Sequence, residues 1–256
     1  MNPTQPSLFL SPLRVVGLSK SYGGRPALED VTFSIRPGEV LGVIGPNGAG
    51  KTTLFECVAG LLPAAAGVLL QGDHVVDERA RAALVFYLPD AIAPWPAQPL
   101  GWALDFTIGF FGGRAALRDE LVRALGLEPL LTARLGTFSK GERKRALLAI
   151  GLLTPQPVLL VDEPLDGLDL RQSRDVVETL RSQAARGRTL VLSIHQIAEA
   201  ARLCDRFVLL GAGRVRAEGT LAELTARAGR GSRAGGDLRA RHAEAADLEE
   251  VFLALT

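Results

Sequence analysis

The stretch Gly45-Pro46-Asn47-Gly48-Ala49-Gly50-Lys51-Thr52-Thr53 limits what this chain can fold into more than any other. It follows an apolar run, Val40 to Ile44, that reads as a buried strand, and it precedes Leu54 to Leu61, which reads as the start of a helix. The spacing fits G-x-x-x-x-G-K-[ST], a phosphate-binding loop, in the strand-loop-helix context such a loop requires. Glycines at 45, 48 and 50 allow positive φ and close approach to a phosphate. Successive N–H groups can then converge at a helix N-terminus, where the dipole favours an anion. Lys51 is placed to reach the β- and γ-phosphates and the Thr52 hydroxyl to ligate Mg²⁺. The lysines are few, Lys20, Lys51, Lys140 and Lys144 among 29 Lys and Arg residues. A lysine at 51 therefore suits a site that needs a compact point charge rather than a planar fork. The alternative is a glycine-rich turn that only joins strand to helix; the pattern favours a nucleotide triphosphatase.

The 256 residues suffice for one large or two small domains with a substantial core. A net charge of +1, with both signs interspersed, lends no support to a nucleic-acid surface, and no nucleic-acid partner is expected. Cys57 and Cys204 form no Cys-x-x-Cys or Cys/His cluster and read as reduced, buried thiols of a cytosolic protein without a structural metal. Met1 to Pro12 lacks the pattern of a secretory signal. The longest apolar stretches, Ala146 to Leu153 and Val158 to Val161, are separated by Thr154-Pro155-Gln156-Pro157 and fall short of the ~20 residues a membrane helix needs. Any membrane role is thus expected through a partner.

Along the chain, Leu13 to Leu18 and Val31 to Ile35 read as strands, and Ala66 to Val76 as a short hairpin with turn signals at Gly67 and Gly72-Asp73. Ala83 to Leu88 reads as a strand running into Pro89-Asp90. Ala91 to Gly113 holds both tryptophans, Trp95 and Trp102, with Phe106, Phe110 and Phe111. These aromatics suit the core of a helical subdomain or a docking groove for a partner helix. Helical periodicity continues over Ala115 to Leu125 and Leu127 to Leu135. Ser139-x-x-Glu142 is a capping box ahead of the apolar helix Ala146 to Leu153, and Gly141 beside it allows close approach. Val158 to Val161 is a buried strand ending in Asp162-Glu163. Four apolar residues and then Asp-Glu suit an acid, Asp162, that holds Mg²⁺ through water, and a base, Glu163, that orients an attacking water. A plain strand-end pair of carboxylates is the alternative. A helix, Ser173 to Ala185, leads to the strand Leu190 to Ile194, which ends in His195, while His74 and His242 lack comparable context. Arg206 to Leu210 and Arg214 to Glu218 read as a hairpin and Leu221 to Ala228 as a short helix. Arg227 to Ala246 reads as a flexible linker, and Leu248 to Thr256 regains helical spacing.

Taken in order, these motifs resemble an ATP-binding cassette (ABC) ATPase. Leu18 to Gly23 followed by Ala27 to Phe33 looks like the opening of that domain, in which an aromatic at the position of Tyr22 stacks on adenine; alone, Tyr22 also reads as a strand-end aromatic capping the core. Phe138 to Arg145 resembles the family signature L-S-G-G-Q with its basic helix. Ser139 and Gly141 match it, while Phe138, Lys140 and Glu142 depart. In the family that helix N-terminus binds the γ-phosphate held by the other subunit. Leu165 to Asp169 matches the dimer-contact loop, and His195 matches the switch histidine that contacts the γ-phosphate. Asp90 stands where the family has a glutamine that contacts Mg²⁺ and the attacking water and relays nucleotide state to the permease. Aspartate reaches the metal side but offers no neutral amide donor.

The resemblance implies an α/β fold: a P-loop NTPase ABC-type cassette with a mostly parallel core sheet, an antiparallel β lobe near Tyr22 and an α-helical lobe over about 90–153. It assigns 13–225 to the ATPase domain and 226–256 to a linker and C-terminal helix resembling those of exporter ATPases whose permease is a separate polypeptide. It further implies ATP and Mg²⁺, a homodimer closing head-to-tail around two ATP molecules, an integral membrane permease, and a place on the cytoplasmic face of the inner membrane. A soluble non-transport ABC ATPase, or a regulatory subunit that binds nucleotide without useful hydrolysis, remains the alternative.

Overall fold

Apolar residues fill the central strands at every position rather than every second one, the pattern of a sheet covered on both faces. The computed structural model describes residues 11–231 apart from 91, 113 and 196, so the expected terminal helix and most of the linker lie outside the described residues. The chain opens with an antiparallel pair, β1 (Leu13–Tyr22) and β2 (Arg25–Ile35), then passes through β3 (Val40–Ile44) into α1 (Lys51–Ala59). A hairpin, β4 (Ala66–Gln71) and β5 (His74–Val75), precedes α2 (Glu78–Leu84) and β6 (Val85–Leu88). A helical stretch follows, α3 (Leu100–Phe111), α4 (Arg118–Ala124) and α5 (Lys140–Leu153). The remainder alternates β7 (Val158–Asp162), α6 (Leu170–Ala185), β8 (Thr189–Ile194) and α7 (Ile197–Leu203), and closes on β9 (Arg206–Gly211), β10 (Arg214–Gly219) and α8 (Leu221–Gly231).

The strands form two sheets, one of order β2-β1-β4-β5 and one of order β10-β9-β3-β8-β7-β6. The first is antiparallel; in the second every pairing is parallel except that of β10 with β9. Parallel pairing needs crossovers, which the helices supply, and it brings the C-terminal ends of β3, β7 and β8 to one edge: Ile44 lies opposite Ile194, and Asp162 opposite Ser193. Successive side chains leave a strand on opposite faces. Leu159 and Val161 therefore join Leu104, Leu121 and Leu148 in a core beneath the helices, while Leu160 joins Leu41, Val43 and Phe55 in a second core between the sheets.

The sequence expectations needed four corrections. Strands β1 and β2 run to Tyr22 and back from Arg25, so Ser19 to Asp30 is mostly strand; residues 21–26 at the hairpin tip are exposed and only Leu28 of the stretch reaches the core, while backbone pairing continues through shifted register. Ala83 and Leu84 end α2 rather than begin a strand, in a helix started by the Asp77 carboxylate, which accepts the Ala80 N–H. Residues 127–135 form no α-helix but hold a 3₁₀ turn, Glu128–Leu130, carrying Pro129, and the start of another, Leu135–Thr137, although Leu127 and Leu135 are buried at the expected spacing. Finally, α8 continues to Gly231, so the first residues of the expected linker are helical.

A buried ion triad fastens the sheets together beside the start of β3. Arg206 is 5% exposed and donates to both oxygens of Glu39, at 3.1 and 3.0 Å, and to the Glu218 carboxylate, which also accepts the Ser34 N–H at 3.2 Å. Burial raises the Glu39 pKa, opposed by hydrogen bonds from the Arg36 N–H and the Arg206 guanidinium. Removing the cation would strand that carboxylate. Arg206→Met is expected to cost about 3 kcal/mol in a urea titration, the range for breaking a buried ion pair from one side; a cost no larger than that of an exposed substitution would rule this role out.

Candidate active site

The loop between β3 and α1 closes around its own lysine. Gly48 and Gly50 have φ of 81° and 103°, and a Cβ on Gly50 would lie 2.6 Å from the Ala27 carbonyl, so both conformation and contact require glycine there. Lys51 is 7% exposed, its Nζ donating to the carbonyls of Gly45 at 2.7 Å and Pro46 at 3.2 Å. Burial lowers the Lys51 pKa, against the pull of Glu163 and then Asp162. A pocket of about 340 Å³ opens above the loop. Asn47, Gly48, Gly50, Lys51, Thr52 and Thr53 line it on one side; Asp90, Asp162 and Glu163 line it on the other. Gly45 and Ala49 pack behind the loop, Gly45 against Leu210.

The acid pair is held by hydroxyls from three elements. One oxygen of Asp162 accepts from Ser193 Oγ at 2.7 Å, and the other from Tyr87 OH at 2.5 Å and Thr52 Oγ1 at 3.3 Å. Burial and then the Asp162 hydrogen bond raise the Tyr87 pKa, so the phenol remains a donor. The Glu163 N–H donates to the Ser193 carbonyl at 3.1 Å and to Ser193 Oγ at 3.0 Å, and Glu163 itself takes a left-handed φ of 47°. For a residue with a Cβ this conformation is strained. It turns the side chain toward the pocket, with His195 Nδ1 3.5 Å from Glu163 Oε1. Thr52 and Asp162 present hard oxygen ligands side by side, a set that suits Mg²⁺.

Asp90 also reaches this pocket, but its carboxylate accepts from Lys144 Nζ at 2.5 Å. Tyr22 is not in the pocket wall: it is 49% exposed at the end of β1, with the Lys20 ammonium 5.6 Å from its ring centre. Ser139 is also apart from the pocket. It caps α5 by accepting the Glu142 N–H, while the Glu142 carboxylate accepts the Ser139 N–H at 2.8 Å. Gly141 sits under α6, where a Cβ would lie 3.0 Å from Gln172 Oε1 and 3.2 Å from the Gly167 carbonyl. Asp169 caps α6 in turn by accepting the Gln172 N–H.

Three residues escaped the sequence reading: Tyr87, Ser193 and Lys144. A signal existed for each. Ser193 breaks the aliphatic run Leu190 to Ile194, Tyr87 brings a hydroxyl into the strand Val85–Leu88, and Lys144 is one of few lysines in an arginine-rich chain.

A family model described as ABC transporter matches residues 28–166. Nod factor export ATP-binding protein I of Rhizobium johnstonii is 34% identical over 225 residues, 84% of this chain and 71% of that protein. Linearmycin resistance ATP-binding protein LnrL of Bacillus subtilis is 30% identical over 223 residues, 85% of this chain and 72% of that protein. A solved structure described as the ATP binding subunit of an ABC transporter superposes with a TM-score of 0.80 at 29% identity, covering 97% of this chain and 99% of that one. A bacterial Atm1-family ABC exporter with ATP bound shares the fold, with a TM-score of 0.75 at 22% identity over 85% of this chain and 40% of that one.

The α5 cap carries a pH dependence of known sign. Hydrogen bonds from the Ser139 backbone and then its side chain hold the Glu142 carboxyl below its ordinary 4.5. Its stabilisation is present above that value and is lost as pH falls through the lower folded value. Thermal melts between pH 7 and pH 3 should therefore show a shallower acid loss for Glu142→Gln than for the parent; parallel curves would contradict the assignment.

Proposed function

The chain belongs to the ABC transporter ATP-binding family, whose members hydrolyse ATP in transport, and from that premise we propose that it powers export through a separate membrane permease. The observation that carries this reading is the convergence of Lys51, Thr52, Asp162 and Glu163 on one pocket at the C-terminal edge of a parallel sheet, with His195 beside Glu163. ATP phosphates would take the place of the loop carbonyls as partners of the Lys51 ammonium, with the loop N–H groups and the α1 N-terminus facing them. Thr52 and Asp162 would hold Mg²⁺, whose charge offsets that of the phosphates. Glu163 orients water and accepts its proton, and His195 steadies the γ-phosphate side.

Among the described residues that line this pocket, the α1 N-terminus is the one helix start, and Ser139 is not among them. Two copies related head-to-tail would bring Ser139 and Gly141 of each to the nucleotide of the other, and an adenine would stack on Tyr22. We take 13–225 as the ATPase unit, with its helical portion over 90–153. No helix among the described residues is long and apolar enough to cross a membrane. In this reading the permease contacts the chain at the cytoplasmic face of the inner membrane, and the aromatic ridge of α3 suits that contact. Trp102 and Phe106 are each 40% exposed and Phe110 is 70% exposed, with Trp102 stacked on Phe106 and Phe106 on Phe110. The export direction draws on the relatives, the Rhizobium one being a Nod factor export protein and the Bacillus one a linearmycin resistance protein.

Two outcomes test this. Glu163→Gln should bind ATP normally but lose roughly 100-fold or more in turnover, the scale of general-base catalysis. Size-exclusion chromatography with ATP and Mg²⁺ should show an accumulated dimer of that variant, and parent-like turnover would remove Glu163 from the mechanism. Mass spectrometry of partners co-purified from detergent-solubilised native membranes should find a stoichiometric polytopic protein. Recovery with ribosomes or nucleic acid instead would place the ATPase outside transport.

A further inference from the structure

Lys144 lies on the second turn of α5, 9% exposed, where that helix reaches the backbone of Glu163. Its Nζ is 2.5 Å from Asp90 Oδ1 and 2.5 Å from the carbonyl oxygen of Glu163. That carbonyl belongs to the residue with the left-handed φ of 47°, and it also accepts the Asp166 N–H at 3.2 Å. The Glu163 peptide is thus clamped on both sides: Ser193 holds its N–H, and Lys144 with Asp166 holds its carbonyl. Around the clamp, carboxylate oxygens of Asp90, Glu163 and Asp166 lie within 4.8 Å of one another. Like charges at that spacing repel. Lys144 pairs with Asp90 and Lys140 with Asp166, so two of α5's lysines sit against this acidic group.

We propose that Lys144 is a positioning residue for Glu163, holding its strained backbone through the carbonyl while the ion pair with Asp90 ties the same ammonium to the segment that follows β6. The proposal rests on the hydrolytic reading of the site. A strained conformation persists only where its surroundings over-determine it, and a charged donor makes a stronger hydrogen bond than a neutral one. The clamp's place on α5 has a mechanical consequence. The helix that presents Ser139 at its N-terminus also grips the catalytic acid one turn later, so displacement of α5 is felt directly at Glu163. A cavity of about 20 Å³, room for one water, lies beside the ion pair among Leu88, Leu147, Leu148 and Pro164. Asp90 is then an anchor for the lysine.

The test compares the full-length parent with Lys144→Met and with the double variant Lys144→Met/Asp90→Asn, which also removes the carboxylate left unpaired. Hydrogen–deuterium exchange without nucleotide should quicken about tenfold at the amides of Glu163 and Asp166 in both variants, the effect of losing one charge-assisted hydrogen bond. In steady-state assays, kcat should fall about tenfold or more in both while the KM for ATP stays within about twofold, a split that general destabilisation would not produce. Exchange unchanged from the parent, or recovery of parental kcat in the double variant, would overturn the proposal; the second result would reduce Lys144 to a counter-charge for Asp90. A parent that lacks ATPase activity would bring down the hydrolytic reading instead, and the exchange comparison would still decide whether Lys144 holds Glu163.

Discussion

The site is built around one buried carboxylate. Asp162 is 5% exposed, and a carboxylate so placed is costly unless its oxygens are satisfied by hydrogen bonds. Here Ser193, Tyr87 and Thr52 provide them, from β8, from β6 and from the first turn of α1. Each of these residues belongs to a different crossover of the same sheet. Satisfying Asp162 therefore requires that the sheet, the loop and the helix all be in place. The parallel register makes this possible, since it ends neighbouring strands at the same edge and in the same direction.

Around that carboxylate the charges are arranged to hold an anion without an excess of free cations. Lys51 is folded back on the loop carbonyls, and Lys144 and Lys140 are paired with Asp90 and Asp166. Beyond β6, Asp90 is an acid with the Lys144 ammonium against it. Such a pair is directional and only partly solvated, and it links the segment after β6 to α5 more tightly than an exposed pair would.

Local signals were legible wherever the physics was local. The phosphate loop, the capping box at Ser139, the acid pair and the apolar strands before them each depend on residues within a few positions, and the structure has a loop, a cap and strands there. Length and partner were less legible. The stretch Ser19 to Asp30 carries no apolar alternation because its exposed tip is held by cross-strand backbone pairing, with Leu28 its one core residue. Residues 127–135 have helical spacing of buried leucines, yet Pro129 and the packing of Leu127 and Leu135 settle for turns. Tyr22 and Ser139 were grouped with the pocket by resemblance alone. In a single copy neither lies among the residues that line it.

What the sequence by itself determined is the identity and order of the chemical groups: a glycine-rich anion loop with one lysine, a hydroxyl beside it, two adjacent acids at a strand end, and a histidine at the next. Those follow from short-range rules of backbone conformation and side-chain chemistry. It took the packing of distant elements to decide that Tyr87 and Ser193 hold Asp162, that Lys144 holds both Asp90 and the carbonyl of Glu163, and that Arg206 pairs with Glu39 and Glu218. These are pairings between residues 12 to 167 positions apart. Such contacts arise when separate elements are packed against a common core, and no periodicity along the chain encodes which polar group will meet which.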